Sequence, residues 1–160
     1  MNSENFRYFD LSKEFRFETA HRLVKGYQGK CSNLHGHSWN GSITIRCTKL
    51  DEQGMGIDFG IIKEKVTRFI EATFDHATVL YKEDPLVHQL KKLGSKVVTV
   101  DDNPTSEVLA NWIFDFASKE IDHIKWASVY QVEIKETCTS SCKVTRKSQS
   151  KNPYGDEVRH

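Results

Sequence analysis

The stretch HSWNGSITIRCTKL (residues 37–50) alternates with a period of two. His37, Trp39, Ile43, Ile45 and Cys47 share one face. Ser38, Asn40, Ser42, Thr44, Arg46 and Thr48 share the other. That spacing predicts a strand with one face on the core and one polar face. Upstream, KEFRFETAH (13–21) alternates in the same way, with Phe15, Phe17 and Thr19 on one side. Two alternating segments so close together predict an antiparallel hairpin. DEQGMG (51–56) then reads as a turn.

Downstream the period changes. DFGIIKEKVTRFIEATF (58–74) has helical spacing: Phe59, Ile62, Val66, Phe69, Ile70 and Phe74 form one stripe, and Asp58 can cap its start. DPLVHQLKKLG (84–94) predicts a short helix with Asp84 as N-cap, Pro85 in the first turn and Gly94 past the end. SKVVTV (95–100) reads as a short strand. Thr105 can cap a helix over SEVLANWIFDFASKE (106–120), with Val108, Leu109, Trp112, Ile113 and Phe116 inward. ASVYQVEIKETC (127–138) is again a strand, with Tyr130, Val132, Ile134 and Glu136 on one face. The order β, β, α, short α, β, α, β predicts an α+β fold, helices packed on one face of an antiparallel sheet. There is no internal repeat. The expectation is one domain over residues 1–146 and a polar tail over 147–160.

With 160 residues, 38% hydrophobic and 28% charged, the chain reads as a soluble globular domain. Lys plus Arg number 23 against 22 Asp plus Glu, so no net charge argues for a nucleic-acid or anionic-membrane partner. MNSENFRYFDLS (1–12) lacks the apolar core and cleavage site of a signal peptide, and no apolar run is long enough to span a bilayer. Four cysteines then favour free thiols in a reducing, cytoplasmic setting. Cys47 reads as core packing, Cys138 and Cys142 as plain thiols, and His88, His123 and His160 as solvent-facing.

The chemistry concentrates in CSNLHGHSW (31–39). Residues two apart in a strand point the same way, about 6.5–7 Å apart, so His35 and His37 can converge on one ion, with Gly36 leaving room. His21 ends the preceding strand, where a hairpin brings it beside them. A lone histidine is ordinarily a surface or core residue; three at matching hairpin ends favour a metal. Zinc takes imidazole nitrogens at about 2.0–2.1 Å, and three protein ligands leave a catalytic open position. Spacing leaves Cys31 with two readings: a fourth ligand closing a structural site, or a thiol beside a cation, usable as base or nucleophile. Glu136 ends the apolar side of its strand. It either escapes to solvent or forms a pocket floor that accepts paired N–H donors. Asp75-His76 is a frequent coincidence and weak by itself.

FETAHRL, CSNLHGHSW, GMGIDFG, FDH, NPTSEVLANWIFD and VEIKETCTSSC occur in the order seen in the 6-pyruvoyl-tetrahydropterin synthase superfamily. The chain resembles that superfamily over roughly residues 13 to 145. Cys31 and His35 are separated by only Ser32, Asn33 and Leu34, which resembles its 6-carboxytetrahydropterin synthase branch, where the cysteine lies closer to His-Gly-His than in the 6-pyruvoyl enzymes. The resemblance implies a tunnelling fold (T-fold), an antiparallel sheet backed by two main helices. Subunits would close into a β-barrel as a homo-oligomer, either a trimer or a hexamer of two trimers. It implies Zn2+ held by His21, His35 and His37, with Cys31 as proton acceptor and not a ligand. Asp75 and His76 would relay protons, Glu136 would anchor the pterin ring, and Thr105 and Glu107 would lie nearby. Two departures stand out. DHATVLYKED (75–84) lacks the family's leucine-asparagine pair, and Tyr81 to Val100 is longer than in compact members.

The activity implied is conversion of 7,8-dihydroneopterin triphosphate to 6-carboxy-5,6,7,8-tetrahydropterin, acetaldehyde and triphosphate, a carbon–carbon lyase reaction on the route to queuosine and other 7-deazaguanines. The rivals are triphosphate elimination to the 6-pyruvoyl product, and a non-catalytic zinc- and pterin-binding module.

Overall fold

The computed structural model describes residues 7–147. The expected tail lies outside them except for Lys147, as does His160. The chain forms β1 (Phe9–His21), β2 (His35–Cys47), α1 (Phe59–Ile62), a π-helical turn (Lys63–Thr67), α2 (Arg68–Phe74), β3 (Ala77–Tyr81), α3 (Leu86–Lys92), β4 (Val97–Val100), α4 (Ser106–Ile121), β5 (Ala127–Lys135) and β6 (Ser141–Thr145). The six strands make one sheet in the order β4-β3-β1-β2-β5-β6.

The hairpin forms as its alternation predicts. β1 and β2 pair antiparallel in unbroken register from Phe9 opposite Cys47 to His21 opposite His35. Phe17 and Trp39 face each other in that ladder and stack with ring centroids 5.9 Å apart, both fully enclosed. The Trp39 indole N–H donates to the Thr19 carbonyl at 3.1 Å. Gly41 sits beneath Phe15, where a Cβ would fall 2.5 Å from the ring. Gly36 meets only ordinary contacts at that position, so packing does not require its glycine. β5 joins β2, and β6 joins β5, both antiparallel. Cys47 is buried in the core; His88 and His123 are exposed.

The sheet is mixed where the sequence predicts it antiparallel throughout. β3 joins β1 in parallel, pairing Thr19 with Ala77 and His21 with Val79, and β4 joins β3 in parallel. β3 went unforeseen because ATVLY does not alternate. Ala77, Val79 and Leu80 are all buried, and a parallel strand covered on both faces reads as an apolar run. β6 escaped notice because it is short, polar and half-buried at the sheet's edge.

Three packing expectations need correction. Tyr130 does not share the inward face of Val132 and Ile134. The β2–β5 register shifts between Thr44 and Ile45, a bulge that leaves Tyr130 without a partner and turns it outward. There the Arg46 guanidinium lies 3.5 Å over its ring. Phe59 is 48% exposed and leaves the helical stripe. The enclosed residues Ile62, Val66, Ile70 and Phe74 are spaced by fours. A spacing of four drifts about 40° per turn on a 3.6-residue helix, and the wide π turn at Lys63–Thr67 absorbs that drift. Pro85, not Asp84, occupies the cap position of α3, although Asp84 accepts from the Leu86 N–H at 2.8 Å as well as pairing with Arg22.

α4 starts as predicted, with Thr105 Oγ1 accepting from the Val108 N–H. It buries Leu109, Ala110, Ile113, Ala117 and Ile121, while Val108, Trp112 and Phe116 are half-buried. Phe69 stacks on Phe116 with centroids 3.5 Å apart, which ties the two main helices together over the sheet.

Candidate metal centre

The hairpin's unbroken ladder places the three histidines. His21 and His35 are direct partners, and His37 lies opposite Thr19. Their ring centroids are 4.6, 5.2 and 5.0 Å apart. Glu136, just past the end of β5, reaches the same point. Its Oε1 is 3.3 Å from His21 Nε2 and 3.4 Å from His37 Nε2. One ligand atom from each of His21, His35, His37 and Glu136 lies within 4.8 Å of every other.

The backbone fixes the rings' proton positions. His21 Nδ1 is 2.7 Å from the Pro104 carbonyl, and His35 Nδ1 is 2.8 Å from the Asn33 carbonyl. A carbonyl only accepts, so each Nδ1 carries the proton and each Nε2 presents a bare lone pair. Burial lowers the pKa of both His21 and His37, which keeps the rings neutral. His21 Nε2 and His37 Nε2 are buried with no hydrogen-bond partner. The His21 Nε2 lone pair therefore faces a Glu136 carboxylate oxygen with no proton between them. A cation between them removes the mismatch, and neutral imidazoles oriented by backbone carbonyls are the form that ligates metal. These residues could hold a metal ion.

The other predicted residues are distributed around this cluster. Cys31 is not among the converging side chains. It sits half-buried in a 3-10 turn, Lys30–Ser32, with its carbonyl accepting from the Leu23 N–H at 2.9 Å. Its thiol engages the Tyr27 hydroxyl, an interaction that raises the tyrosine's pKa. Asp75 accepts from the Glu18 N–H at 2.9 Å and from His76 Nδ1 at 2.8 Å. The Glu18 bond, followed by the His76 bond, lowers the Asp75 pKa. His76 is exposed and held at φ 54°, with its N–H donating to the Glu18 carbonyl at 2.7 Å. A cavity of about 460 Å³ has both His37 and His76 in its wall, so the two histidines share a space without touching. A second cavity, of about 770 Å³, is lined by His37, Glu136, Asn40, Glu14 and Cys138. It falls in the size range of small-molecule sites.

Thr105 adjoins the centre through Pro104. Glu107 does not join it: its carboxylate folds back on the start of α4, bonding its own N–H and the Thr105 side chain, which lowers its pKa. It lines a separate cavity with Trp112, Asp115 and Cys142. Sequence reasoning missed Asn103, the Pro104 carbonyl and Tyr27. NPT at 103–105 precedes a capped helix, and that motif carried the only legible signal; nothing marks Tyr27.

Residues 10–147 match the family model described as 6-pyruvoyl tetrahydropterin synthase, and the chain belongs to that family. Among curated relatives, the 6-carboxy-5,6,7,8-tetrahydropterin synthase of Aquifex aeolicus is 33% identical over 82% of this chain and 94% of its own length. That of Haemophilus influenzae is 34% identical over 84% and 96%. That of Rickettsia felis is 37% identical over 62% and 72%. Among solved structures, an uncharacterized protein from Wolinella succinogenes superposes with a TM-score of 0.76 at 22% identity, over 88% of this chain and 99% of that one. The 6-pyruvoyl tetrahydropterin synthase of Caenorhabditis elegans gives 0.66 at 23%, over 89% and 98%. The T-fold is therefore shared across the group.

Proposed function

We propose that the protein is a zinc-dependent 6-carboxy-5,6,7,8-tetrahydropterin synthase, converting 7,8-dihydroneopterin triphosphate to 6-carboxytetrahydropterin, acetaldehyde and triphosphate. The observation that carries this reading is the convergence of three histidines, with His21 and His35 oriented by backbone carbonyls and the buried Nε2 atoms of His21 and His37 left without a partner. The catalytic domain is residues 1–146, and 147–160 form an appended tail. The relatives' names and the short Cys31–His35 spacing support the carboxy branch.

His21, His35 and His37 would hold the metal, which when bound would supply Lewis-acid stabilisation of developing negative charge on the substrate. Glu136 accepts the adjacent N–H donors of the pterin edge, fixing the ring's orientation as well as adding affinity. Thr105, which adjoins the centre through Pro104, and Glu107 at the start of the same helix complete the proposed substrate-binding set. Cys31 takes a proton from the side chain, and His76, oriented by Asp75, relays protons. The carbon–carbon bond then breaks in a retro-aldol sense. Subunits are proposed to close their sheets into a barrel, which would cover the strand edges at β4 and β6. Among the described residues no helix is long and apolar enough to cross a membrane, and a cytoplasmic site of action fits the free thiols.

The test is turnover of dihydroneopterin triphosphate by metal-analysed protein, with products identified by mass. Acetaldehyde and the carboxylated pterin are expected. Loss of triphosphate with every carbon retained would assign the 6-pyruvoyl reaction instead, and tight pterin binding without turnover would make the protein a binding module.

A further inference from the structure

Residues 22–34, the loop joining the two metal-facing strands, are held from elsewhere by the Arg22–Asp84 and Lys25–Asp102 ion pairs and by the side chain of Asn103, which bonds the loop backbone. Asn103 Oδ1 accepts from the Val24 and Lys25 N–H groups, each at 2.9 Å. Its Nδ2 donates to the Lys25 carbonyl at 2.8 Å. Inside the loop, the Leu23 N–H donates to the Cys31 carbonyl at 2.9 Å. The loop's first residues and the turn that carries Cys31 are thus one bonded unit, with Asn103 fastening its base.

The neighbours of Asn103 tie that unit to the metal centre. The Pro104 carbonyl orients His21, the Asn103 carbonyl accepts from the Thr105 N–H at 2.8 Å, and Thr105 caps α4. Lys25 Nζ meets Asp102 at 2.8 Å on the outside of the same segment. Residues 102–105 therefore touch His21, the Cys31 loop and the start of α4 at once.

We propose that Asn103 is a positioning residue, holding the Cys31 loop in register with the metal-facing histidines. The inference rests on the reading of Cys31 as the proton-moving thiol. The chemistry at residue 103 is selective. One planar group must accept two N–H bonds and donate one to a carbonyl, which the asparagine amide does. Aspartate keeps the acceptors but turns a carboxylate oxygen on the Lys25 carbonyl; alanine keeps neither.

The experiment compares Asn103→Ala, Asn103→Asp and Cys31→Ala in the full-length, metal-loaded protein. In Asn103→Ala, amide exchange at Val24 and Lys25 is expected to accelerate at least tenfold. The rate of iodoacetamide alkylation at Cys31, followed by peptide mass, should change several-fold, since loop order sets the thiol's access. With dihydroneopterin triphosphate, kcat should fall roughly tenfold to a hundredfold with KM within about threefold and metal content unchanged, as expected for misplacement near the chemistry. Asn103→Asp should recover part of kcat. Parental kcat in Asn103→Ala overturns the proposal, as does loss of metal in step with loss of activity. If Asn103→Ala does not fold, Asn103→Asp carries the test, and parental kcat there overturns it. Should Cys31→Ala keep parental turnover, the reading of Cys31 fails. Exchange and alkylation then decide Asn103 by themselves, unchanged rates overturning its hold on the loop.

Discussion

The hairpin bearing His21, His35 and His37 and the loop bearing Cys31 adjoin in sequence but are held by different means. The hairpin is a thirteen-residue ladder on each side, closed by stacked Phe17 and Trp39 and buried against two helices. The loop has no ladder. It relies on Asn103, on the Leu23–Cys31 backbone bond, and on the Arg22–Asp84 ion pair at its entry. Ligand geometry is thus set by many cooperative bonds, and thiol placement by a few replaceable ones. A metal site tolerates little displacement of its ligands, whereas a proton-moving group must approach and leave.

The comparison is broken most directly at Trp39. Trp39→Ala removes a fully enclosed ring beneath the histidines and should cost about 4 kcal/mol, read as a lower urea midpoint, with metal affinity falling alongside. Cys31→Ala is the matching cut in the loop. It should lower turnover by about 10²–10⁴ while metal content and thermal midpoint stay near parental values. Metal lost from that variant would show the thiol to be a ligand.

Asp84→Asn tests the loop's entry. The Asp84 side chain is fully enclosed and pairs with Arg22, whose hydrogen bond is the main reason the Asp84 pKa lies below its ordinary value. Breaking a buried pair costs about 3–5 kcal/mol; because Arg22 keeps some exposure, about 2 kcal/mol is expected at pH 7. The folded pKa is depressed, so this stability is present above the unfolded carboxylate pKa of about 3.9 and is lost as pH falls through the lower folded value. The gap in urea midpoint between parent and variant should therefore narrow from pH 7 to pH 3. A gap that widened on acidification would contradict the assignment. The smallest effect is expected from Thr105→Ala, about 1 kcal/mol for a lost helix cap. It would be measured by thermal unfolding, with the hairpin's amide protection unchanged.

The two alternating strands and the convergence of three histidines at their facing ends were legible in the sequence, because a period of two places alternate residues on one face, and antiparallel pairing sets the end of one strand beside the start of the next. The caps at Asp58 and Thr105 were legible too, since each is a local bond between a side chain and an amide two or three residues on. What only the tertiary structure decided depends on contacts with no local period. β3 is hidden by burial on both faces, and Tyr130 is turned out by a bulge that a regular alternation cannot anticipate. The tautomer of His21 is set by the Pro104 carbonyl, 83 residues away in sequence. Asn103 grips the Cys31 loop across 78 and 79 residues. Local spacing specifies which residues can face a metal; only the folded chain specifies which carbonyls orient them and which amide holds the neighbouring loop.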